Sequence, residues 1–350
     1  MIVHLFQQEK FTVPFIKFLN KNFDIEENMF LIYGDNNAYK KDDVEQYKNI
    51  EYINGKRDIV KLLKKIYIAE KIILHSLFIP NWILVVLSLN KRLLNKCNWV
   101  IWGGDLYDYK FRDINLKSNI RELLRRYIIK NIGGFITHIK GDYELAKLWY
   151  GAKGEYFYSF MYPSNVYKEY DLSNIKKDSD CLCIQIGNSA DPTNNHIEIL
   201  NKLKCYCEKN IRIICPISYG NVEYRKKVIK EGIRLFGDKF NPITDFMPFE
   251  EYLEMLAKVD VAIFNHQRQQ AVGNITTLLG LGKKVYIRDD ITTWDFCREH
   301  GLKVYKSNDD NLDIYDTMTN EEQEQNRNNV REDFSTENLK VCWENIFKAR

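Results

Sequence analysis

Between residues 181 and 305 the sequence repeats one pattern. A short apolar run is followed by a longer stretch with apolar residues at helical spacing, and then by another run. The runs are 181–186, 212–217, 241–246, 261–264 and 284–287, with Val304 and Tyr305 opening a last one. The stretches between them are 193–207, 223–236, 249–259, 275–281 and 294–300. Apolar runs this short are strands, and the alternation builds βαβ units: a parallel sheet with helices on both faces.

The first half follows the same scheme less regularly. Strands are expected at 2–6, 29–33, 71–77, 99–102, 135–139 and 156–160, and helices at 11–20, 58–68, 82–94, 120–132 and 143–149. Residues 167–180 are polar, charged and without apolar periodicity, and they read as a linker. Four segments are therefore expected: a Rossmann-like domain at 1–166, the linker at 167–180, a second Rossmann-like domain at 181–332, and a C-terminal helix at 333–350. In that last helix Leu339, Cys342, Trp343, Ile346 and Phe347 form one stripe, which is expected to fold back onto the first domain. The fold class is α/β, two Rossmann-like doubly wound domains facing across a cleft, as in the GT-B architecture. Sugar-nucleotide epimerases and several binding proteins share that architecture, so fold alone does not select among them.

Composition narrows the class. Hydrophobic residues are 45% of the 350, which excludes a disordered chain. The net charge of +3 gives no whole-protein case for nucleic acid. The longest apolar run, 82–89, is far below the ~20 residues of a spanning helix. No basic region precedes the apolar run at residues 2–6, so no signal peptide is expected. The C-x-C pairs Cys181/Cys183 and Cys205/Cys207 lack the spacing of zinc sites and read as buried thiols; no metal and no cofactor is expected. Asp42-Asp43 and Asp289-Asp290 are acidic pairs of the kind that bind Mg²⁺, and Asp178-Ser179-Asp180 mimics a D-x-D motif but falls in the linker, ahead of a strand.

Three strand-to-helix loops carry candidate chemistry. In Gly187-Asn188-Ser189-Ala190-Asp191-Pro192-Thr193-Asn194-Asn195-His196, the glycine admits a close approach, and the free N–H groups of the helix start suit phosphate or simply an N-cap. In the segment 265–277, Arg268 suits a bidentate contact to a diphosphate. Gln269, Gln270, Gly273 and Asn274 add neutral donors at a helix start. In Trp102-Gly103-Gly104-Asp105-Leu106-Tyr107, Asp105 is expected at a strand tip facing the cleft. It either takes a proton from a hydroxyl nucleophile or caps the turn, and His75 is the rival base. Tyr219 and the run Phe246-Met247-Pro248-Phe249 are placed to cover a nucleobase or to pack in the core. A basic amphipathic helix at 121–130, with Lys91, Arg92, Lys96 and Lys117, offers either a lipid-headgroup contact or a solvated face.

Taken together these motifs resemble one family. The segments around Trp102-Gly103-Gly104-Asp105-Leu106-Tyr107, Gly187-Asn188-Ser189 to His196-Ile197, and Arg268-Gln269-Gln270 with Gly273 are similar to those of the TDP-N-acetylfucosamine:lipid II N-acetylfucosaminyltransferases, glycosyltransferase family 56. His75 with Pro80, Arg126, Gly141-Asp142, Pro216, and Phe249 with Tyr252 agree as well, whereas Gly104 stands where the family commonly has alanine. The resemblance implies a GT-B fold, inversion at the anomeric carbon and no required metal. It implies a TDP-activated deoxy-acetamido sugar as donor and a polyprenyl-diphosphate-linked saccharide as acceptor. It also implies peripheral contact with the cytoplasmic face of the bacterial cell membrane. The alternatives are an epimerase or hydrolase of the same architecture and a non-catalytic nucleotide-sugar-binding protein.

Overall fold

A computed structural model describes residues 1–34, 44, 46–169, 175 and 180–349, without the side chain of Phe249. The calls at Asp42-Asp43 and Asp178-Ser179, and most of the expected linker, lie outside the described residues. The chain divides into two compact units, Met1–Val166 with Thr336–Arg350, and Tyr167–Ser335.

Unit 1 runs β1 (Ile2–Gln7), α1 (Thr12–Asn22), β2 (Asn28–Tyr33), β3 (Ile50–Ile53), α2 (Ile59–Ile68), β4 (Lys71–His75), α3 (Asn81–Ser88), α4 (Lys91–Asn95), β5 (Cys97–Val100), α5 (Gly104–Phe111), α6 (Leu116–Asn131), β6 (Gly134–Thr137), α7 (Lys140–Tyr150) and β7 (Glu155–Tyr158). Unit 2 runs β8 (Leu182–Ile186), α8 (His196–Leu203), β9 (Ile211–Pro216), α9 (Val222–Phe236), β10 (Phe240–Ile243), α10 (Phe249–Lys258), β11 (Val261–Phe264), α11 (Val272–Gly280), β12 (Lys284–Ile287), α12 (Thr292–Glu299), β13 (Tyr305–Lys306) and α13 (Asn320–Asp333); α14 (Thr336–Lys348) completes unit 1.

Each unit holds one sheet. The orders are β3-β2-β1-β4-β5-β6-β7 and β10-β9-β8-β11-β12-β13, and every pairing is parallel. Strands β2, β5, β6, β11 and β12 are buried along their whole length, as a parallel sheet covered on both faces requires.

The core of unit 1 draws on both ends of its sequence. On α14, Trp343 is fully buried, its ring lies 4.9 Å from that of Phe15, and its Nε1 donates to the Met161 carbonyl at 2.9 Å. Lys71 Nζ donates to the carbonyls of Ile346 and, at 2.6 Å, of Ala349, so an ammonium satisfies the last turn of the helix.

Several expectations need correction. The single helix expected at 82–94 is two, because Asn90 is extended and its side chain caps α4, accepting from the N–H groups of Arg92 at 2.9 Å and Leu93 at 3.4 Å. β3 and α5 were not anticipated. The C-x-C cysteines are not all buried: Cys205 is exposed and Cys181 and Cys207 are half-buried.

Candidate functional site

Open parallel sheets bind ligands at the C-terminal ends of their strands, where the strand order reverses. In unit 2 that point lies between β8 and β11. The loops there are 187–195 and 265–271, two of the three segments singled out from sequence.

The two loops are stitched together by neutral groups and one ion pair. Asn194 Oδ1 accepts from the Asn188 N–H at 3.0 Å and from His266 Nε2 at 3.1 Å, while Asn194 Nδ2 donates to Ser189 Oγ at 3.3 Å. Since that oxygen already takes the Asn188 N–H, His266 must carry its proton on Nε2. Gln267 N–H donates to the Thr193 carbonyl at 2.8 Å and Gln270 Nε2 to Thr193 Oγ1 at 3.2 Å. Asp191 accepts from Thr193 N–H at 2.8 Å, from Thr193 Oγ1 at 2.6 Å and from an Arg268 guanidinium nitrogen at 2.8 Å. Burial alone would raise the Asp191 carboxyl, but the Thr193 donors and the Arg268 charge together hold it below the usual range.

Arg268 was expected as a free fork for a diphosphate. Instead it binds Asp191 and, at 3.1 Å, the Gln269 carbonyl, so it latches one loop to the other. The guanidinium keeps further N–H donors beyond these two bonds, and more capacity sits on neutral groups. His196 Nε2, Asn188 Oδ1 and Gln269 Oε1 are buried without a hydrogen-bond partner, and native structures leave few such atoms.

In the sequence His196 stands out only as part of a motif. Its backbone N–H donates to the Tyr224 hydroxyl at 2.9 Å, and that hydroxyl lies 3.4 Å from Nδ1. The Tyr224 proton is thus free for Nδ1, which leaves Nε2 as an N–H donor; burial lowers the ring's pKa to about 4, so it is neutral. Gly187 makes room for that ring. It is left-handed at φ +61°, and a Cβ there would meet Nε2 at 2.2 Å.

Helix α11 begins at this point. Its N-cap Ala271 is left-handed at φ +58°, and Gly273 and Asn274 lie in the first turn, where N–H groups have no intrahelical acceptor. Tyr219 is 55% exposed, and its hydroxyl accepts from Asn188 Nδ2 at 3.0 Å. Phe246 is exposed; Phe249 opens α10, and its side chain lies outside the described residues.

In unit 1 the order reverses between β1 and β4. Asp105 does not stand at an open strand tip. It lies fully buried in the first turn of α5, after Gly103 at φ +77°. Oδ2 accepts from Leu77 N–H and Trp99 Nε1, both at 2.8 Å; Oδ1 accepts from Trp102 N–H at 2.9 Å and Leu106 N–H at 3.1 Å. Four donors fill a carboxylate's acceptor sites. Of the two expected roles the geometry shows the cap: Asp105 ties the ends of β4 and β5 to α5, and burial raises its carboxyl above the usual range. Arg125, itself fully buried, reinforces it by donating to the Asp105 carbonyl.

His75 is closed as well. Trp102 Nε1 donates to the Tyr162 oxygen at 2.8 Å, and Tyr162 O–H lies 2.8 Å from His75 Nδ1. His75 Nε2 lies 3.1 Å from His4 Nδ1, and His4 Nε2 is 3.1 Å from Asn28 Oδ1. Asn28 Nδ2 donates to the Asp24 carbonyl at 3.0 Å, which fixes Oδ1 as the acceptor. Every proton in the chain then points one way, from Trp102 to Asn28. Both rings are neutral, burial lowering His4 to about 4 and His75 well below its ordinary value. Neither nitrogen of His75 is left for a substrate.

Polar groups with capacity to spare are found at the ends of β1 and β2. Half-buried Glu9 follows β1, with Gln7 Nε2 at 3.2 Å, and burial raises its carboxyl above the usual range. Tyr33, paired with Gln7 in register, is buried and its hydroxyl has no partner. A lone acid just past the first strand was the available sequence signal.

The arginines of the basic helix are engaged within the unit. Arg121 donates to the carbonyls of Leu77 at 3.0 Å and Ile79 at 2.9 Å, Arg125 is buried, and Arg126 pairs with Glu122 at 3.2 Å. These three guanidiniums hold the unit together rather than forming a charged face.

Among the described residues no helix is long and apolar enough to cross a membrane, and no three His, Cys, Asp or Glu side chains gather as metal ligands. Solved structures of similar fold include a glycosyltransferase from Rickettsia africae (TM-score 0.68, 12% identity, covering 99% of this chain and 97% of that one). HepE of Anabaena, in complex with UDP and glucose, matches with TM-score 0.63 and 13% identity over 99% of each chain. WaaG, a glycosyltransferase involved in lipopolysaccharide biosynthesis, matches with TM-score 0.55 and 11% identity over 99% of this chain and 94% of that one. The fold is GT-B. A family model described as 4-alpha-L-fucosyltransferase, glycosyl transferase group 56, matches residues 15–349. The chain belongs to that family and is a glycosyltransferase.

Proposed function

We propose that the protein moves a deoxy-acetamido sugar of the N-acetylfucosamine type, with inversion, from a TDP-sugar to a polyprenyl-diphosphate-linked saccharide. It would act peripherally at the cytoplasmic face of the bacterial cell membrane, in surface-polysaccharide synthesis. The observation that carries the reading is the unit 2 switch point, where two latched loops and the head of α11 gather neutral donors and buried, unpartnered polar atoms. The free N–H groups of α11 suit the diphosphate, and His196 Nε2–H adds a further neutral donor. Asn188 Oδ1 and Gln269 Oε1 are acceptors for sugar hydroxyl or amide hydrogens. Tyr219 offers an exposed ring for the thymine.

In the step itself the acceptor oxygen attacks the anomeric carbon in line. The bond from that carbon to the diphosphate oxygen breaks, and TDP leaves with the electron pair. The acceptor proton passes to a base. With both oxygens of Asp105 and both nitrogens of His75 engaged, Glu9 is the group proposed here, because its carboxylate is half-buried and reachable at the end of β1, and burial raises its pKa. Neutral donors and backbone N–H groups stabilise the leaving charge, so no divalent cation is needed.

The test is to incubate TDP-sugar with and without a polyprenyl-diphosphate saccharide, and to measure TDP release and lipid mass, with and without EDTA. Release coupled to a heavier lipid supports transfer, and full activity in EDTA supports metal independence. Release without acceptor indicates an epimerase or hydrolase; binding without release indicates a binding protein. By calorimetry Arg268→Ala should weaken TDP binding about tenfold, through loss of the latch to Asp191. Unchanged affinity would remove the diphosphate from these loops.

A further inference from the structure

Helix α6 buries an ion pair beside its core isoleucines and leaves an apolar stripe exposed. Its buried residues include Glu122 and Arg125, which pair at 3.3 Å, together with Ile128 and Ile129. Its exposed face carries Leu116, Ile120, Leu123 and Tyr127, at intervals of four, three and four residues, so they form one stripe. Leu116 is 78% exposed and Leu123 67%. The turn leading into the helix adds Ile114 at 84%, and Leu89, at the end of the neighbouring α3, is 78% exposed. Single exposed leucines need no explanation, but a contiguous stripe does.

The charge around the stripe has one sign. Among residues 79–131 the exposed charged side chains are Lys91, Arg92, Lys110, Lys117 and Lys130 against one acid, Asp113; Asp105 and Glu122 are buried and Asp108 is half-buried. An apolar ridge rimmed by ammonium groups complements an anionic lipid surface: the side chains enter the acyl boundary while the lysines meet the headgroups. The same rim disfavours a second copy of this chain, since two such faces would bring like charges together.

We infer that the exposed face of α6, with the 112–115 turn, is a membrane-docking surface for anionic lipid. The inference rests on the reading above for its purpose, since a polyprenyl-linked acceptor lies in a bilayer. It does not use the guanidiniums of 121–126, which the structure commits to internal bonds.

The experiment is sedimentation of the full chain with vesicles of phosphatidylcholine alone or mixed with phosphatidylglycerol, free of acceptor. Binding to the anionic vesicles, falling as salt rises, is expected. Leu116→Glu with Leu123→Glu should lower partitioning at least about tenfold. Lys117→Gln and Lys130→Gln should each lower it about fivefold on anionic vesicles and leave neutral ones unchanged. All three variants should keep the wild-type affinity for TDP, which shows they are folded. No binding by the wild type overturns the inference, as does equal binding by the leucine variant. It is also overturned by light scattering that shows a dimer which the leucine variant dissociates. Transfer to a short-chain, water-soluble acceptor separates the two claims. If vesicle binding fails and that transfer persists, the docking surface falls and the transferase reading stands; binding without transfer to any acceptor does the reverse.

Discussion

The C-terminal ends of β4 and β5 in unit 1 and of β8 and β11 in unit 2 use similar residues to opposite ends. Both gather glycine, a carboxylate and a histidine beside short apolar strands, and unit 2 adds side-chain amides. Around Asp105 and His75 the polar account closes: four donors on the carboxylate, and a one-way chain from Trp102 to Asn28. In unit 2 a comparable cluster closes only in part, leaving His196 Nε2, Asn188 Oδ1 and Gln269 Oε1 without partners. Residue type marks where polar groups gather. Leftover hydrogen-bonding capacity separates a binding site from scaffolding.

The sharpest way to break that contrast is inside unit 1. Glu9→Gln should lower kcat about a thousandfold, within the range of a lost general base, with TDP affinity intact. In the wild type, kcat/KM should be carried above the raised Glu9 pKa and lost as pH falls through it. A Glu9→Gln enzyme of normal turnover would remove Glu9 from the chemistry.

Next is Asp105→Asn. Its amide group would face buried N–H donors that now meet carboxylate oxygens, so about 3 kcal/mol of stability should go, read by denaturant unfolding. A variant of full stability and no turnover would return Asp105 to catalysis.

The buried histidines give a pH signature of similar size per group. His4 and His196 are held near a pKa of about 4 in the fold, against about 6.5 in an unfolded chain. Between those values the unfolded chain binds more protons. The stability they contribute is therefore full above pH ~6.5 and falls as pH drops towards 4, by about 3 kcal/mol for each. Unfolding midpoints followed over that window check it, and a flat profile would mean that the rings are not buried neutral.

The smallest effect concerns the strained cap of α11. Ala271→Gly should relieve the left-handed backbone and stabilise the protein by roughly 1 kcal/mol, measured by thermal melting. No gain would mean that the loop relaxes without help.

The architecture was legible because covered parallel strands leave continuous apolar runs, and 261–264 and 284–287 coincide with β11 and β12. What escaped was short or aperiodic. β3 is four residues, and α5 reads Gly-Asp-Leu-Tyr-Asp-Tyr-Lys-Phe, where the buried Asp105 breaks any apolar stripe. The two loops of unit 2 were found from their glycines and amides. The latch from Arg268 to Asp191 was not, since the two residues are 77 positions apart. For Asp105 the cap was one of two readings, and what the sequence did not show is the donor from Leu77, 28 positions away on another strand's end.

Trp343 donates to a carbonyl 182 residues upstream, and its helix covers the face of unit 1 that carries Phe15. On a ribosome, residues 1–166 would emerge with that face bare and wait through the synthesis of all of unit 2 before their last helix arrived. Nascent unit 1 is thus the aggregation-prone interval in this protein's manufacture, and the stage at which a chaperone would be needed most.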